Sequence, residues 1–428
     1  MPGITDSTTR DDLSPAGIAR ENLTTHESGA PDERPVDEGA DGGAGTVRLL
    51  DPDGVRHPSP EHDRWLADVD GDDRALLQLL EDMVVVRRID TEATALQRQG
   101  ELALWPPVLG QEAAQVGSAH ALRRDDFVFG SYREHGVAYV RGVAPVDLLR
   151  EWRGLVTAGW DPYAVNMATP QVIVGGHALH GVGYAMGVLA DAERDAVAGR
   201  DATPGRDATA GRDDGTAAVV SYFGDGAMSQ GAVNEAFVFA GTWSAPVVFF
   251  CQNNQWAISE PVALQSPVPL VARAAGFGLT GVQVDGNDVL GVLAVTRAAL
   301  HRARTGGGPT LIEAVTYRRG PHTTADDPTR YREAAEVEAW VRRDPIDRFT
   351  AYLRDRGVLT DAADADVRDV ADRVAAALRT DLAASPTPPP LSVFEHVYAE
   401  PNPVLEAERD AYAQYLAGFA DDAAGGAR

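Results

Sequence analysis

Two almost unbroken apolar runs, residues 217–223 and 246–251, enclose a stretch with helical spacing, residues 232–243. Runs of this kind suit strands buried on both faces, and strand, helix and strand in that order favour a parallel pair. The alternation continues. Residues 282–285 and 310–317 read as strands on either side of a helix over 289–304, and residues 127–131 as a short strand before them. Ahead of these, apolar residues from 73 to 100 recur at three- and four-residue steps, and a second helix is expected over 111–122. The expected fold class is therefore α/β, a mostly parallel sheet with helices on both faces. The chain of 428 residues has room for a large core.

Outside residues 73–332, which hold this domain, the composition changes. Residues 1–45 carry ten acidic residues against three arginines and few large apolar ones, so the segment 1–55 is expected to be a disordered acidic arm. It shows no apolar signal core and no arginine-rich, acid-poor transit pattern, which points to a cytoplasmic protein. Residues 198–215 repeat Gly-Arg-Asp three times and read as a mobile insertion. Residues 333–428 read as a helical C-terminal tail, with helices over 333–356 and 362–384 and a proline-rich linker at 386–390.

Charge and residue usage exclude several functions. The net charge is −26, a field that repels phosphate backbones and anionic membranes, so neither nucleic acid nor membrane is an expected partner. There is no lysine: all 38 basic residues are arginine. A phosphate-loop lysine and a Schiff-base lysine are thereby impossible. The single cysteine, Cys251, excludes an internal disulfide and reads as a small core residue. Gly181-Val-Gly-Tyr-Ala-Met-Gly187 only superficially resembles a dinucleotide fingerprint and reads as helix packing.

Ligands of open parallel sheets bind at the carboxyl ends of strands. The turn after the run 217–223 reads Gly224-Asp225-Gly226-Ala227, and the next strand ends in Gln252-Asn253-Asn254-Gln255-Trp256. Glycines let the backbone approach a phosphate, and a carboxylate and an amide oxygen together suit magnesium, which keeps places for phosphate and water. Asp225 and Asn254 are 29 residues apart, enough for one helix and one strand to return the chain to the same edge. Either half alone is an ordinary turn. Together they resemble the thiamine diphosphate motif.

Tyr132-Arg133-Glu134-His135-Gly136, Val284-Asp285-Gly286-Asn287-Asp288 and Gly320-Pro321-His322-Thr323, with Asp326 to Arg332, narrow the resemblance. From about Arg74 onward the chain resembles the α subunit of the first component of 2-oxo acid dehydrogenases, which use thiamine diphosphate and magnesium. That resemblance implies magnesium on Asp225, Asn254 and the carbonyl of Trp256, and diphosphate on Tyr132 and Arg133. It further implies cofactor contacts from Gly224, Gly226, Ala227, Val172 and Val174, and a catalytic His322 that also touches the cofactor. An imidazole titrating near neutrality could bind the substrate carboxylate or carry a proton. His135, His177 and His180 are possible cleft residues. Two departures stand out: Gln252 replaces an arginine of branched-chain members, and their potassium-binding pattern is absent around residues 171–177.

The resemblance also implies partners: a β subunit that carries the pyrimidine-binding half, in an α2β2 heterotetramer, and a lipoyl acyltransferase component. The substrate is a small 2-oxo acid, with pyruvate preferred over 3-methyl-2-oxobutanoate and other branched-chain acids, and acetoin cleavage as a third option. The loop 320–331 is expected to be mobile until the cofactor binds. A non-catalytic scaffold subunit is the contrasting reading, opposed by the presence of Asp225, Asn254 and His322.

Overall fold

The computed structural model describes residues 45–155, 159–197 and 215–425. Five strands form one sheet: β1 (Phe127–Phe129), β2 (Val219–Gly224), β3 (Val247–Asn253), β4 (Thr280–Asp285) and β5 (Thr310–Val315). Their order is β1-β2-β3-β5-β4, and every neighbouring pair is parallel. The principal helices are α1 (Asp73–Arg98), α2 (Glu112–Ala119), α3 (Gly176–Val197), α4 (Gly231–Trp243) and α5 (Val289–Arg304), followed by α6 (Ala334–Val341), α7 (Pro345–Asp355), α8 (Asp361–Ala384) and α9 (Pro403–Gly425).

Side chains alternate across the sheet and divide the core in two. Val220, Tyr222, Val248, Phe250 and Ile312 pack with α1, α2 and α5 on one face. Val219, Phe223, Val247, Phe249 and Leu311 pack with α3 and α4 on the other. All of β3 is buried, which is why its sequence reads as a continuous apolar run. Cys251 lies inside it, fully buried, and burial pushes its thiol pKa up.

The arm expected over 1–55 is corrected at its C-terminal end. Residues 45–55 form a strap along the edge of β4, where Val47 pairs in parallel with Val284 and donates to the Gln283 carbonyl at 2.9 Å. Leu49 and Leu50 are fully buried. Asp288 accounts for this: one carboxylate oxygen accepts from the amides of Leu49 (2.5 Å) and Leu50 (2.9 Å), the other from Leu290 (3.1 Å) and Gly291 (3.0 Å). The same residue caps α5 and holds the strap. The rest of the arm and residues 198–214 of the insertion lie outside the described residues.

The single helix expected over 333–356 is two. Asp344 caps α7 by accepting from Ile346 and Asp347, and Pro345 at its first position ends any continuation from α6. Helix α8 packs along α1, with Arg379 Nε donating to Glu92 Oε1 at 2.7 Å. No described helix is long and apolar enough to cross a membrane.

Candidate active site

The carboxyl edge of the sheet gathers the site. Gly224 ends β2, Asp225 opens a 3-10 turn (Asp225–Ser229), and Asn254 follows directly on β3. Asn254 Nδ2 donates to Gln111 Oε1 at 3.1 Å. Its Oδ1 therefore stands 3.1 Å from the Trp256 carbonyl oxygen and 3.3 Å from Asp225 Oδ1. Three oxygens so close with no proton between them repel one another unless a cation joins them. One carboxylate, one amide and one backbone carbonyl are a hard-oxygen set that leaves positions for phosphate and water, as magnesium prefers. No cluster of three His, Cys, Asp or Glu among the described residues offers an alternative. Burial pushes the Asp225 pKa up to about 6, against the hydrogen bond from Gln265 Nε2 to its Oδ2 at 2.8 Å. A cation would pull it back down.

Beside these oxygens a cavity of about 230 Å³ opens. Arg133 and Arg318, both buried, reach it from the segments after β1 and β5. Arg133 donates to the Pro107 carbonyl (2.5 Å) and the His322 carbonyl (2.8 Å), and Arg318 to the carbonyls of Trp256 (2.9 Å) and Ile258 (2.7 Å). Both guanidiniums also stand 3.2 Å from His322 Nδ1. Guanidinium can only donate, so Nδ1 accepts and the imidazole proton sits on Nε2. Burial, then Arg133 and Arg318, push the His322 pKa down to about 3. In the cofactor-free site His322 is therefore held neutral, below the titration near neutrality that its residue type implies. Burial and the nearby Arg133 lower Arg318 itself to about 10, a strained positive pair that an anion would relieve.

Of the residues singled out in the sequence, Tyr132, Arg133, Val174, Gly224, Asp225, Gly226, Ala227, Asn254, Trp256 and His322 all line this cavity. Val172 does not; the residue is 63% exposed outside it. His177 lines the wall and its Nε2 donates to the Tyr222 carbonyl at 2.6 Å. His135 instead stacks on Trp105 with ring centroids 4.1 Å apart, and His180 pairs with Gln171 away from the cavity. Gln252, in place of an arginine, donates to Glu134 Oε1 at 2.7 Å and accepts from Gln115 at 3.0 Å. The neutral Gln252 amide and the Ser131 hydroxyl, which donates to Glu134 Oε2 at 2.8 Å, thereby satisfy a carboxyl whose pKa burial raises.

Sequence reasoning missed Arg318, Gln111 and Ile258. Arg318 could have been suspected from its place just past a buried strand and four residues before His322; the other two carry no local signal. The loop 320–331, expected to be mobile until the cofactor binds, carries several hydrogen bonds in this structure. Asp326 Oδ2 accepts from the His322 amide at 2.8 Å and from the Tyr331 hydroxyl, Thr324 bonds Trp105 through both its amide (2.8 Å) and its hydroxyl (3.0 Å), and Arg332 donates to the carbonyls of Arg318, Arg319 and Gly320.

Residues 81–389 match the family described as dehydrogenase E1 component. The chain is 44% identical over 365 residues, 85% of its own length and 92% of the relative's, to the 3-methyl-2-oxobutanoate dehydrogenase subunit alpha of Mycobacterium tuberculosis. It is 37% identical over 297 residues, 69% of its own length and 74% of the relative's, to the pyruvate dehydrogenase E1 component subunit alpha of Bacillus subtilis. The protein of the same name from Staphylococcus epidermidis is 38% identical over 288 residues, covering 67% of this chain and 72% of the relative.

Proposed function

The chain belongs to the dehydrogenase E1 component family, and from that premise we propose that it is the α subunit of a branched-chain 2-oxo acid dehydrogenase acting on 3-methyl-2-oxobutanoate. In this reading it works with a β subunit in an α2β2 heterotetramer and passes the acyl group to the lipoyl group of an acyltransferase component. The observation that carries the cofactor assignment is the convergence of Asp225 Oδ1, Asn254 Oδ1 and the Trp256 carbonyl beside two buried guanidiniums. Magnesium fits the oxygens, and a diphosphate fits the arginines.

Thiamine diphosphate, when bound, supplies the carbanion chemistry of decarboxylation. The chain's own residues bind and orient. Asp225, Asn254 and Trp256 would hold the cation, Tyr132 and Arg133 the diphosphate, and Gly224, Gly226 and Ala227 would let it approach the backbone. Val174 would press the organic part of the cofactor into place. His322 presents a neutral Nε2–H to the substrate; phosphate charge beside Arg133 and Arg318 offsets their field, which raises its proton affinity when the site is loaded.

The M. tuberculosis protein covers more of both chains at higher identity than the two pyruvate-named relatives, which supports the branched-chain substrate over the pyruvate preferred from the motifs. Pyruvate remains the second reading, supported by the Gly320-Pro321-His322-Thr323 motif and the absent arginine at Gln252.

The test is carbon dioxide release from 3-methyl-2-oxobutanoate and from pyruvate by the chain co-purified with its β subunit, with thiamine diphosphate, magnesium and an artificial electron acceptor. Faster release from the branched acid, abolished by Asp225→Ala, is expected; a preference for pyruvate reverses the substrate. A complex that binds cofactor and releases carbon dioxide from neither acid points to a scaffold subunit.

A further inference from the structure

Gln111 lies at the junction of α2 and the cavity with no accessible surface, and the chain places it there firmly. Gly110 before it has φ +96°, and a Cβ at that position would stand 2.4 Å from the Tyr317 carbonyl oxygen, so only glycine allows this approach. The Gly110 carbonyl accepts from Thr316 Oγ1 at 2.8 Å and its amide donates to Glu112 Oε2 at 2.9 Å. At the end of this pinned turn Gln111 Oε1 accepts from Asn254 Nδ2, while Gln111 Nε2, buried in the cavity wall, has no partner.

The Asn254 amide has two possible orientations with opposite consequences. As it stands, its oxygen faces Asp225 Oδ1 and the Trp256 carbonyl, and the three oxygens are ready for a cation. Turned over, its nitrogen would donate to both of those oxygens at 3.3 and 3.1 Å, and the site would close on itself. The turned amide would also present its oxygen to Gln111 Oε1, two acceptors at 3.1 Å, unless Gln111 turned with it. Glutamine can do so, because its amide offers either a donor or an acceptor. The two amides are therefore coupled: Gln111 with its oxygen toward Asn254 matches the cation-ready orientation, and with its nitrogen toward Asn254 it matches the closed one.

We infer that Gln111 is a positioning residue for the cation, accepting from Asn254 Nδ2 so that the amide oxygen points into the site. The inference rests on the cofactor reading above and deepens it. Partners that orient ligands in this way commonly change metal affinity by about 10–100-fold when removed. An ionised glutamate at 111 is acceptor-only and keeps the cation-ready orientation; a methionine of similar size accepts only weakly through its sulfur and frees Asn254 to turn over. A population of turned amides lowers apparent affinity in proportion to the ready fraction.

The experiment titrates the full chain, co-purified with its β subunit and saturated with thiamine diphosphate, with manganese as the probe, following free manganese by electron paramagnetic resonance. Gln111→Glu is expected to bind manganese at least as tightly as wild type, and Gln111→Met about tenfold more weakly or worse. Turnover of Gln111→Met at saturating manganese is expected to recover, placing the defect in cation binding and not in kcat. Equal affinity of wild type and Gln111→Met overturns the inference, and so does an equal loss in both variants, which would mark packing as the cause. Should Gln111→Met fail to fold, Gln111→Leu takes its place: about tenfold weaker binding upholds the inference and affinity equal to wild type overturns it. A wild-type complex that takes up no manganese overturns the cofactor reading itself, and this inference with it.

Discussion

His322 illustrates how far a residue's neighbours alter what its type implies. An imidazole in a Gly-Pro-His-Thr loop reads as a group near its ordinary pKa, yet burial, Arg133 and Arg318 push it down to about 3. None of these is local in sequence except Arg318, so the loop could be read as functional but not its protonation state. The shift has a definite sign in stability. A histidine depressed in the folded state is protonated first in the unfolded chain, so the stability it permits is complete above about pH 6.5 and is lost as pH falls through that window toward 3. Urea unfolding of wild type and His322→Gln without cofactor should therefore diverge on acidification, with wild type losing more stability between pH 7 and pH 4. A gap independent of pH would show that His322 is not held neutral. At the opposite wall, Asp225→Asn keeps the shape but removes the only carboxylate among the three converging oxygens. Calorimetric titration should show the loss of most magnesium-dependent binding of thiamine diphosphate while the melting temperature of the free chain stays near wild type or rises, because a buried carboxylate of raised pKa is removed.

The elements that were legible are those whose signal lies within their own residues. The unit β2-α4-β3 announces itself by period and burial, and α5 runs from Val289 to Arg304, over the residues its pattern predicts. Elements decided by distant partners were not legible. The strap at residues 45–55 looks like the acidic arm before it, and its order comes from Asp288, Asp285 and Val284, more than 230 residues away. The division of α6 from α7 was readable in principle from Asp344-Pro345, where the capping carboxylate and the missing amide coincide. The strap is testable. Leu50→Ala removes a fully buried side chain and should destabilise the chain by about 2–5 kcal/mol in chemical unfolding. Asp288→Ala strips acceptors from four amides and should lose about 2–4 kcal/mol. Limited proteolysis of Asp288→Ala should gain cuts between residues 45 and 57 that wild type resists; unchanged cleavage there would mean that the strap is held by its leucines alone.

On the scale of the whole molecule, the site is built from chain ends that only the parallel sheet brings together. Residues after β1, β2, β3 and β5 meet at one edge, and this follows from strand order more than from any motif. The site also opens outward through an apolar mouth. Val174 and Ile258 line the cavity, and both are exposed beyond it, as are Val172 and Ile173, the latter at 78%. Leu264, next to the Gln265 that bonds Asp225, is exposed at 73%. Apolar side chains gathered at the mouth of a polar, charged cavity are an unfavourable surface for a chain in water and a favourable one under a partner. The β subunit proposed above would cover them and supply the other half of the cofactor's surroundings. A charge placed there should discriminate: Ile173→Asp lies outside the cavity, so the substitution should leave the melting temperature of the chain alone nearly unchanged. Co-purification with the β subunit should fall severalfold or more, since a carboxylate buried at an apolar interface has no partner to compensate it. Decarboxylation should fall in parallel with the amount of complex recovered, and the turnover of the complex that does form should match wild type. If Ile173→Asp assembles as well as wild type, this rim faces water in the assembly and the partner approaches the cofactor from elsewhere.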